Sequence, residues 1–389
     1  MSRDWDCLPG PDVYESTVMR FLACFLFAVA VAHVARGAAA NADSTMTNST
    51  FVSVRDPRIA YMGRVAFVGD EAMMGFPGIV LRFVYRGPAP VLRLNAGSEN
   101  CYFNLACNGW DPVVIHLSPG QNEIALPTGP APAGGWLVEL VRRTESWQGV
   151  ASFRGLLLPP GCELLTPPPW PARKLMFIGD SITGGEYIER FPPENVSTPR
   201  AANAARSFGM LLGRWLKAQV HLVSYGGRGV MRDWQGRTDV PNAPQFFQRT
   251  LPDDADAHWT HANYVPDVVV ISLGQNDFSK DLPDEATYTK AYDNLVGEIR
   301  AVYPRAALVL AEVSLFGDTP DTPDRAKRDQ LRRVLVTVTA RRRAGGDKRI
   351  VEAPVHYYPG TPGNAHLVAF QHEQVAQELL GPIRALTGW

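Results

Sequence analysis

Residues 174–180 read KLMFIGD and run straight into Ser181-Ile182-Thr183. Leu175 to Ile178 form an unbroken apolar run, the mark of a strand covered on both faces. Gly179 and Asp180 then end it. The same pattern recurs downstream in QVHLVSYGG (219–227), PDVVVISLG (266–274) and ALVLAEVS (307–314). Helical patterns separate these strands, at 201–218, 286–304 and 324–345, and another closes the chain at 372–386. Strands alternating with helices predict a three-layer α/β/α domain on a parallel sheet. In such sheets a ligand sits beyond the C-terminal strand ends, so the loops that follow the strands can carry chemistry.

Upstream the pattern changes. GIVLRFVYR (78–86) puts Ile79, Leu81, Phe83 and Tyr85 on one face and Arg82 and Arg86 on the other, which predicts a half-buried strand. Short runs follow at 91–94, 113–117, 123–127, 136–143 and 150–158, separated by turn sequences such as RGPAP, NGWDP and SPGQN. No helix-length pattern interrupts them, so the expectation is a β-sandwich of jelly-roll type over 50–165. PPGCELLTPPPWPA (159–172) is a stiff proline-rich connector. The α/β domain then runs over 172–389.

Composition narrows the partners. The 389 residues are 46% hydrophobic with a formal net charge of −1, which suits a globular chain and an uncharged substrate better than a polyanion. No basic block argues for nucleic acid. Residues 21–34, FLACFLFAVAVAHV, have the length of a signal-peptide apolar run, with Arg20 before and the small residues of GAAANAD after. The stretch before Met19 is wrong for a charged n-region. Translation is therefore expected to start at Met19, with a signal region inside 1–42, export or periplasmic residence, and no stable membrane association after cleavage. Three cysteines would remain, Cys101, Cys107 and Cys162. The first two could close a small disulfide loop or sit as reduced thiols in a sheet. No cysteine has zinc-site spacing, and neither a metal nor a cofactor is expected.

Chemistry concentrates in the loops after strands. Gly179-Asp180-Ser181 puts a serine at the mouth of the sheet. Gly226-Gly227-Arg228-Gly229 leaves room for backbone N–H groups to approach an oxyanion, and Asn276 of Gly274-Gln275-Asn276-Asp277 offers a side-chain donor in the same place. A serine hydroxyl needs a neighbouring base. His33 falls in the signal region, and His116 and His221 fall within strands. His258 and His261 precede strand 266–274, at the wrong end of the sheet, so neither Asp256-x-His258 nor His258-x-x-His261 is read as a site. His366 and His372 stand just before and within the last helical stretch.

The order GDSIT, glycine loop, G-x-N-D and late histidine resembles the SGNH (GDSL-like) hydrolase superfamily over residues 172–389. That resemblance implies Ser181 as nucleophile and His366 as general base. It also implies an oxyanion hole from the N–H groups of Ser181 and Gly227 and the amide of Asn276. The superfamily's final block often reads D-x-H-P with a second histidine six residues on, which gives His366 the catalytic place and His372 a structural one. Here Asn364 stands where the aspartate is usual and Leu367 where the proline is. Asn364 can accept a bond from the imidazole but adds no charge, so the expectation is a Ser-His dyad, with Asn364 or a backbone carbonyl orienting the ring.

A β-sandwich followed by an SGNH domain is similar to carbohydrate esterase family two, over roughly residues 55–389. Arg142-Arg143-Thr144-Glu145, the proline-rich joint and Tyr225-Gly226-Gly227-Arg228-Gly229 carry that likeness. The resemblance implies removal of acetyl groups from plant polysaccharides such as xylan and glucomannan. Glu186, Arg190, Arg228, Arg232, Asp233 and Trp234 give the loops a polar and aromatic character that suits sugars, with Trp234 the candidate platform. The alternatives are a lipase or thioesterase on other acyl esters, and a carbohydrate-binding protein with a weakened esterase site.

Overall fold

The computed structural model describes residues 48–126, 132–190, 198–361 and 364–389. The signal region and its start at Met19 lie outside the described residues. Two antiparallel sheets form the N-terminal half. Its strands are β1 Thr50–Val52, β2 Ala60–Met62, β3 Val65–Val68, β4 Glu71–Met74, β5 Val80–Arg86, β6 Val91–Ala96, β7 Tyr102–Cys107, β8 Val113–His116, β9 Gly120–Ala125, β10 Trp136–Arg142, β11 Ala151–Leu158 and β12 Glu163–Leu165. One sheet has the order β3-β4-β11-β6-β9, with β1 also on β11. The other has β12-β5-β10-β7-β8, with β2 also on β5. Alternation aims the core residues: Trp136, Val138 and Leu140 of β10 point inward, and Arg142 falls on the same buried phase.

The half-buried reading of β5 needs correction. Val80 to Tyr85 are buried on both faces, Arg82 included at 7% exposure. The Arg82 guanidinium lies 3.5 Å from the centroid of the Trp170 ring, so the proline-rich connector covers the face that the sequence pattern leaves to solvent. Cys101 and Cys107 are free, buried thiols. Strand β7 holds them apart by six residues of extended chain, roughly 20 Å, far beyond the reach of a disulfide.

The C-terminal half is built on the parallel strands β13 Arg173–Gly179, β14 Ala218–Ser224, β15 Val268–Ser272, β16 Ala307–Ala311 and β17 Ile350–Ala353, in the order β14-β13-β15-β16-β17. Strand β17 has no counterpart in the sequence reading. Helices Phe208–Leu216, Glu285–Val302, Pro323–Ala344 and Ala369–Thr387 cover the sheet. The first of these is shorter than the pattern at 201–218 suggests, because a 3-10 turn takes Ala204–Arg206. The chain leaves β13 for β14 on one side and returns to β15 on the other. The C-terminal ends of these three strands are therefore the switch point where a ligand crevice opens.

Buried charged side chains close the seam between the halves. Arg143 donates to the Ala202 carbonyl at 3.1 Å, to Asn104 at 2.6 Å and to Glu189. Arg64 reaches across to the carbonyls of Phe247 and Arg249, at 2.7 and 2.6 Å. Burial pushes its pKa down to about 9. Ser146 Oγ donates to the Ser224 carbonyl at 2.7 Å. An arginine shut away from water in this manner cannot lose its partners cheaply. Arg143→Ala should lower unfolding free energy by about 3–5 kcal/mol, since it leaves Asn104 and two buried carbonyls without their donor and takes the closest cation from Glu189. The exposed control Arg86→Ala should stay within about 0.5 kcal/mol. Urea midpoints of the two variants check both values.

Candidate active site

Strand β13 ends at Gly179, and Asp180 caps the four-residue helix Ser181–Gly184 by accepting from the Ile182 N–H at 3.1 Å. This turn sets Ser181 at the first helical position, buried but lining the cavity. His366 enters from the segment just before helix Ala369–Thr387. Its Nε2 lies 2.9 Å from Ser181 Oγ, and its Nδ1 lies 2.8 Å from Asn364 Oδ1. The same Oδ1 accepts from the His366 backbone N–H at 2.9 Å. An atom facing two donors must be the amide oxygen. It can only accept, so Nδ1 carries the proton and Nε2 is left bare to take one from the serine. Burial disfavours the imidazolium and lowers the His366 pKa to about 4, which keeps the ring in its basic form.

Donors surround the serine. Gly227 has φ +77, and its carbonyl accepts from the Trp234 N–H at 2.9 Å. Neither the Ser181 nor the Gly227 N–H has a protein acceptor among the described residues. Asn276 Nδ2 donates to the Arg228 carbonyl at 2.9 Å and, less closely, to Asp180 Oδ2 at 3.3 Å. An oxyanion in the cavity would compete with the longer of these contacts. Asp277 gathers the N–H groups of Val230, Met231 and Arg232 at 2.9, 2.8 and 3.1 Å, which ties the glycine loop to the end of β15. Burial outweighs those donors and moves Asp277 up to about 6.

Ser181, Gly227, Asn276, His366 and Trp234 all line one cavity of about 580 Å³, and Asn364 stands behind His366. Trp234 is 52% exposed, on the cavity rim rather than in the core. Glu186, Arg228 and Asp233 also line the cavity, whereas Arg190 and Arg232 do not. Arg232 turns away to the Asp277 carbonyl and Asp281. The other histidines serve packing. His372 is buried and accepts from the Phe208 N–H, and His261 is held between Tyr303 and Gln248. His258 lies on the far side, bridged to Arg249. His356, which the sequence reading passes over, pairs with Glu378 at the surface.

One site residue, Trp147, escapes sequence reasoning, and two that it names, Glu145 and Glu186, take places it does not foresee. Trp147 is 45% exposed and faces the cavity from the sandwich half. Glu145 lies beneath the site, where its Oε2 accepts from the Gly226 N–H at 3.0 Å. It packs so tightly on Gly184 that a Cβ there would meet its Oε1 at 1.5 Å. Glu186 reaches 3.8 Å from His366 Nε2 and accepts from the Trp147 indole. Burial raises three carboxyls here: Glu145 well above its ordinary range, Glu186 to about 7 and Asp180 to about 8. The run Arg142–Glu145 was a visible signal for Glu145. Nothing local marks Trp147, and the sequence reading gives Glu186 only as part of the polar character of the loops, because their neighbours come from other segments.

Comparison with known proteins agrees with this architecture. Residues 61–168 match the carbohydrate esterase 2 N-terminal model, and residues 177–346 match the GDSL-like lipase/acylhydrolase family. An acetylxylan esterase / glucomannan deacetylase of Cellvibrio japonicus is 33% identical over 90% of this chain and 94% of its own. The structure of a family two carbohydrate esterase from Cellvibrio japonicus superposes with a TM-score of 0.80 at 32% identity, covering 88% of this chain and 98% of that one. A family two carbohydrate esterase from Clostridium thermocellum, in complex with cellohexaose, gives 0.77 at 26% identity, covering 85% and 99%.

Gly227 is the position where the site tolerates least. Its positive φ disfavours any side chain, and a Cβ would meet Trp234 Cδ1 at 2.8 Å. Gly227→Ala should cost about 1–2 kcal/mol in stability from the backbone alone. It should also push the Trp234 indole outward, read as a lower melting temperature with a red-shifted tryptophan emission.

Proposed function

The chain belongs to carbohydrate esterase family 2, and from that premise we propose how its residues divide the work of removing acetyl groups from plant-type polysaccharide. It is a serine-type ester hydrolase. The carrying observation is the Ser181 Oγ to His366 Nε2 contact of 2.9 Å at the floor of the cavity, with the ring in the tautomer that accepts a proton. Ser181 attacks the acetyl carbonyl while His366 takes its proton. The N–H groups of Ser181 and Gly227 and the Asn276 amide stabilise the oxyanion, a donor of this kind contributing about 2.7–4 kcal/mol. The imidazolium then protonates the leaving sugar oxygen. Water, activated by the same histidine, hydrolyses the acyl-enzyme and releases acetate.

Asn364 orients the ring without lending it charge, which makes the pair a dyad. The cavity supports a sugar ester over a lipid one: charged and indole groups line it, where an acyl tail would need an apolar trough. Xylan and glucomannan are the substrates proposed, on the strength of the Cellvibrio relative. Trp234 and Trp147, both exposed beside the glycine loop, offer faces on which a sugar ring stacks. Export remains part of the proposal and rests on the sequence of residues 19–42. No helix among the described residues is long and apolar enough to cross a membrane.

Acetate release from acetylated xylan and glucomannan tests this reading. Wild type should release acetate, and Ser181→Ala should fall by more than about 1,000-fold with its melting temperature unchanged. Appreciable turnover in Ser181→Ala would remove the serine from its role, and loss of release from every acetylated polysaccharide in wild type would remove the substrate class.

Trp234→Ala separates platform from scaffold. If the indole carries the sugar chain, KM for acetylated polysaccharide should rise about fivefold or more while a small aryl acetate is unaffected. Equal losses on both substrates would mark Trp234 as structural.

A further inference from the structure

The proposed dyad leaves a charge unaccounted for. During attack, His366 becomes an imidazolium in a dry cavity, and Asn364 behind it is neutral. A cation formed there is unstable unless a negative group lies close. The serine templates place that group on the Nδ1 side. Here the Nδ1 side holds an amide oxygen, and the nearest carboxylate stands on the other edge of the ring.

We propose that Glu186 is a positioning residue that supplies this negative charge from the Nε2 side, stabilising the imidazolium once the proton has left Ser181. The inference rests on the Ser181–His366 reading. Glu186 Oε2 lies 3.8 Å from Nε2, too far for a strong hydrogen bond and close enough for a strong field in a buried site. The backbone holds it there, since the Glu186 N–H donates to the Ser181 carbonyl at 3.0 Å. The Trp147 indole fixes the carboxyl from the sandwich side. Among the described residues no lysine or arginine lies within ion-pair distance of Glu186, so its field is not cancelled by a resident cation. The arrangement favours the transition state selectively. In the resting ring Nε2 is a bare lone pair and gains nothing from a carboxylate. Only protonated Nε2 does.

Three titratable groups face Glu186: Glu145 from the sandwich, Asp180 from the end of β13, and His366 from the C-terminal segment. Burial, only partly offset by the Trp147 contact, keeps Glu186 protonated up to about pH 7. The charge that His366 needs is therefore present above neutrality and lost as the pH falls through about 7.

The test follows kcat and KM against pH for wild type, Ser181→Ala, Glu186→Gln and Asn364→Asp/Glu186→Gln. Glutamine keeps the shape and the acceptor for Trp147, so the fold should hold, checked by melting temperature. Glu186→Gln should lose roughly 10- to 100-fold in kcat at pH 8 with KM within about twofold. Wild-type kcat/KM should step down as pH falls through about 7, toward the level of the glutamine variant. That variant should show no such step and should fail only as His366 protonates, near about 4. Restoring a carboxylate on the Nδ1 side, in the double variant, should recover at least about half of the lost activation free energy. The inference is overturned by a glutamine variant within twofold of wild type, by a loss confined to KM, by a step near 7 that survives the substitution, or by a double variant that recovers nothing. The Ser181→Ala control keeps the two ideas apart. If it retains turnover, the dyad itself fails; if it is inactive while Glu186→Gln is unaffected, only the role of Glu186 falls.

Discussion

The carboxyl group of Glu145 is the point on which both halves of the molecule bear. It arrives from the sandwich at the end of the Arg142–Glu145 run and accepts the Gly226 N–H that begins the glycine loop. It lies against Gly184, one turn after Ser181. Arg142 sits directly behind it and holds the Glu145 carbonyl at 3.1 Å and the Met74 carbonyl at 2.6 Å. The N–H groups beside Ser181 and those beside Gly227 are thus set at a fixed spacing by one buried side chain. Donors held in place before the charge develops need no reorganisation when it does. The sandwich is therefore a wall of the site and the gauge of its geometry.

Around that anchor the site works with neutral parts. Asn364 fixes the tautomer of His366 through an amide oxygen, and burial keeps the ring uncharged. Four carboxyls, Glu145, Asp180, Glu186 and Asp277, lie close by with pKa values raised by the same dry surroundings. A group that is neutral at rest costs little to bury, whereas a permanent ion must be paired. Arg143 at the seam is such an ion, and it is bound to Glu189, Asn104 and two carbonyls. The seam carries fixed charge, and the chemical centre carries charge on demand.

Much of this was legible in the chain. Strands β13, β14 and β15 are apolar on both faces, so their runs stand out, and the loops after them had to meet at one sheet edge. That places Ser181, Gly227 and Asn276 together from the sequence alone, and His366 follows from the superfamily resemblance, through its six-residue spacing to His372. The misses share a cause. Arg82 sits in a half-polar strand pattern, but Trp170 folds over it from the connector, a contact no local period reveals. Strand β17 is only four residues and half its positions are partly exposed, too weak a signal to read. Trp147 and Glu186 become site residues through each other, across the seam. Their meaning is tertiary, and a one-dimensional pattern holds no trace of it.

The seam also limits how such a chain can be inherited. Modules joined by exposed linkers recombine freely, because neither loses a partner on separation. Here the connector stacks on one half while the other half's loop hangs from Glu145. A crossover within residues 159–172 that brought in an unrelated sandwich would deliver an α/β half with its Gly226 amide unheld and Glu189 without Arg143. Such a chimera keeps every residue of the proposed dyad and loses the frame that aligns it. Descent should therefore pass the two halves on as a pair, with substitutions at Arg142–Glu145 matched by changes around residues 184–204 and 226.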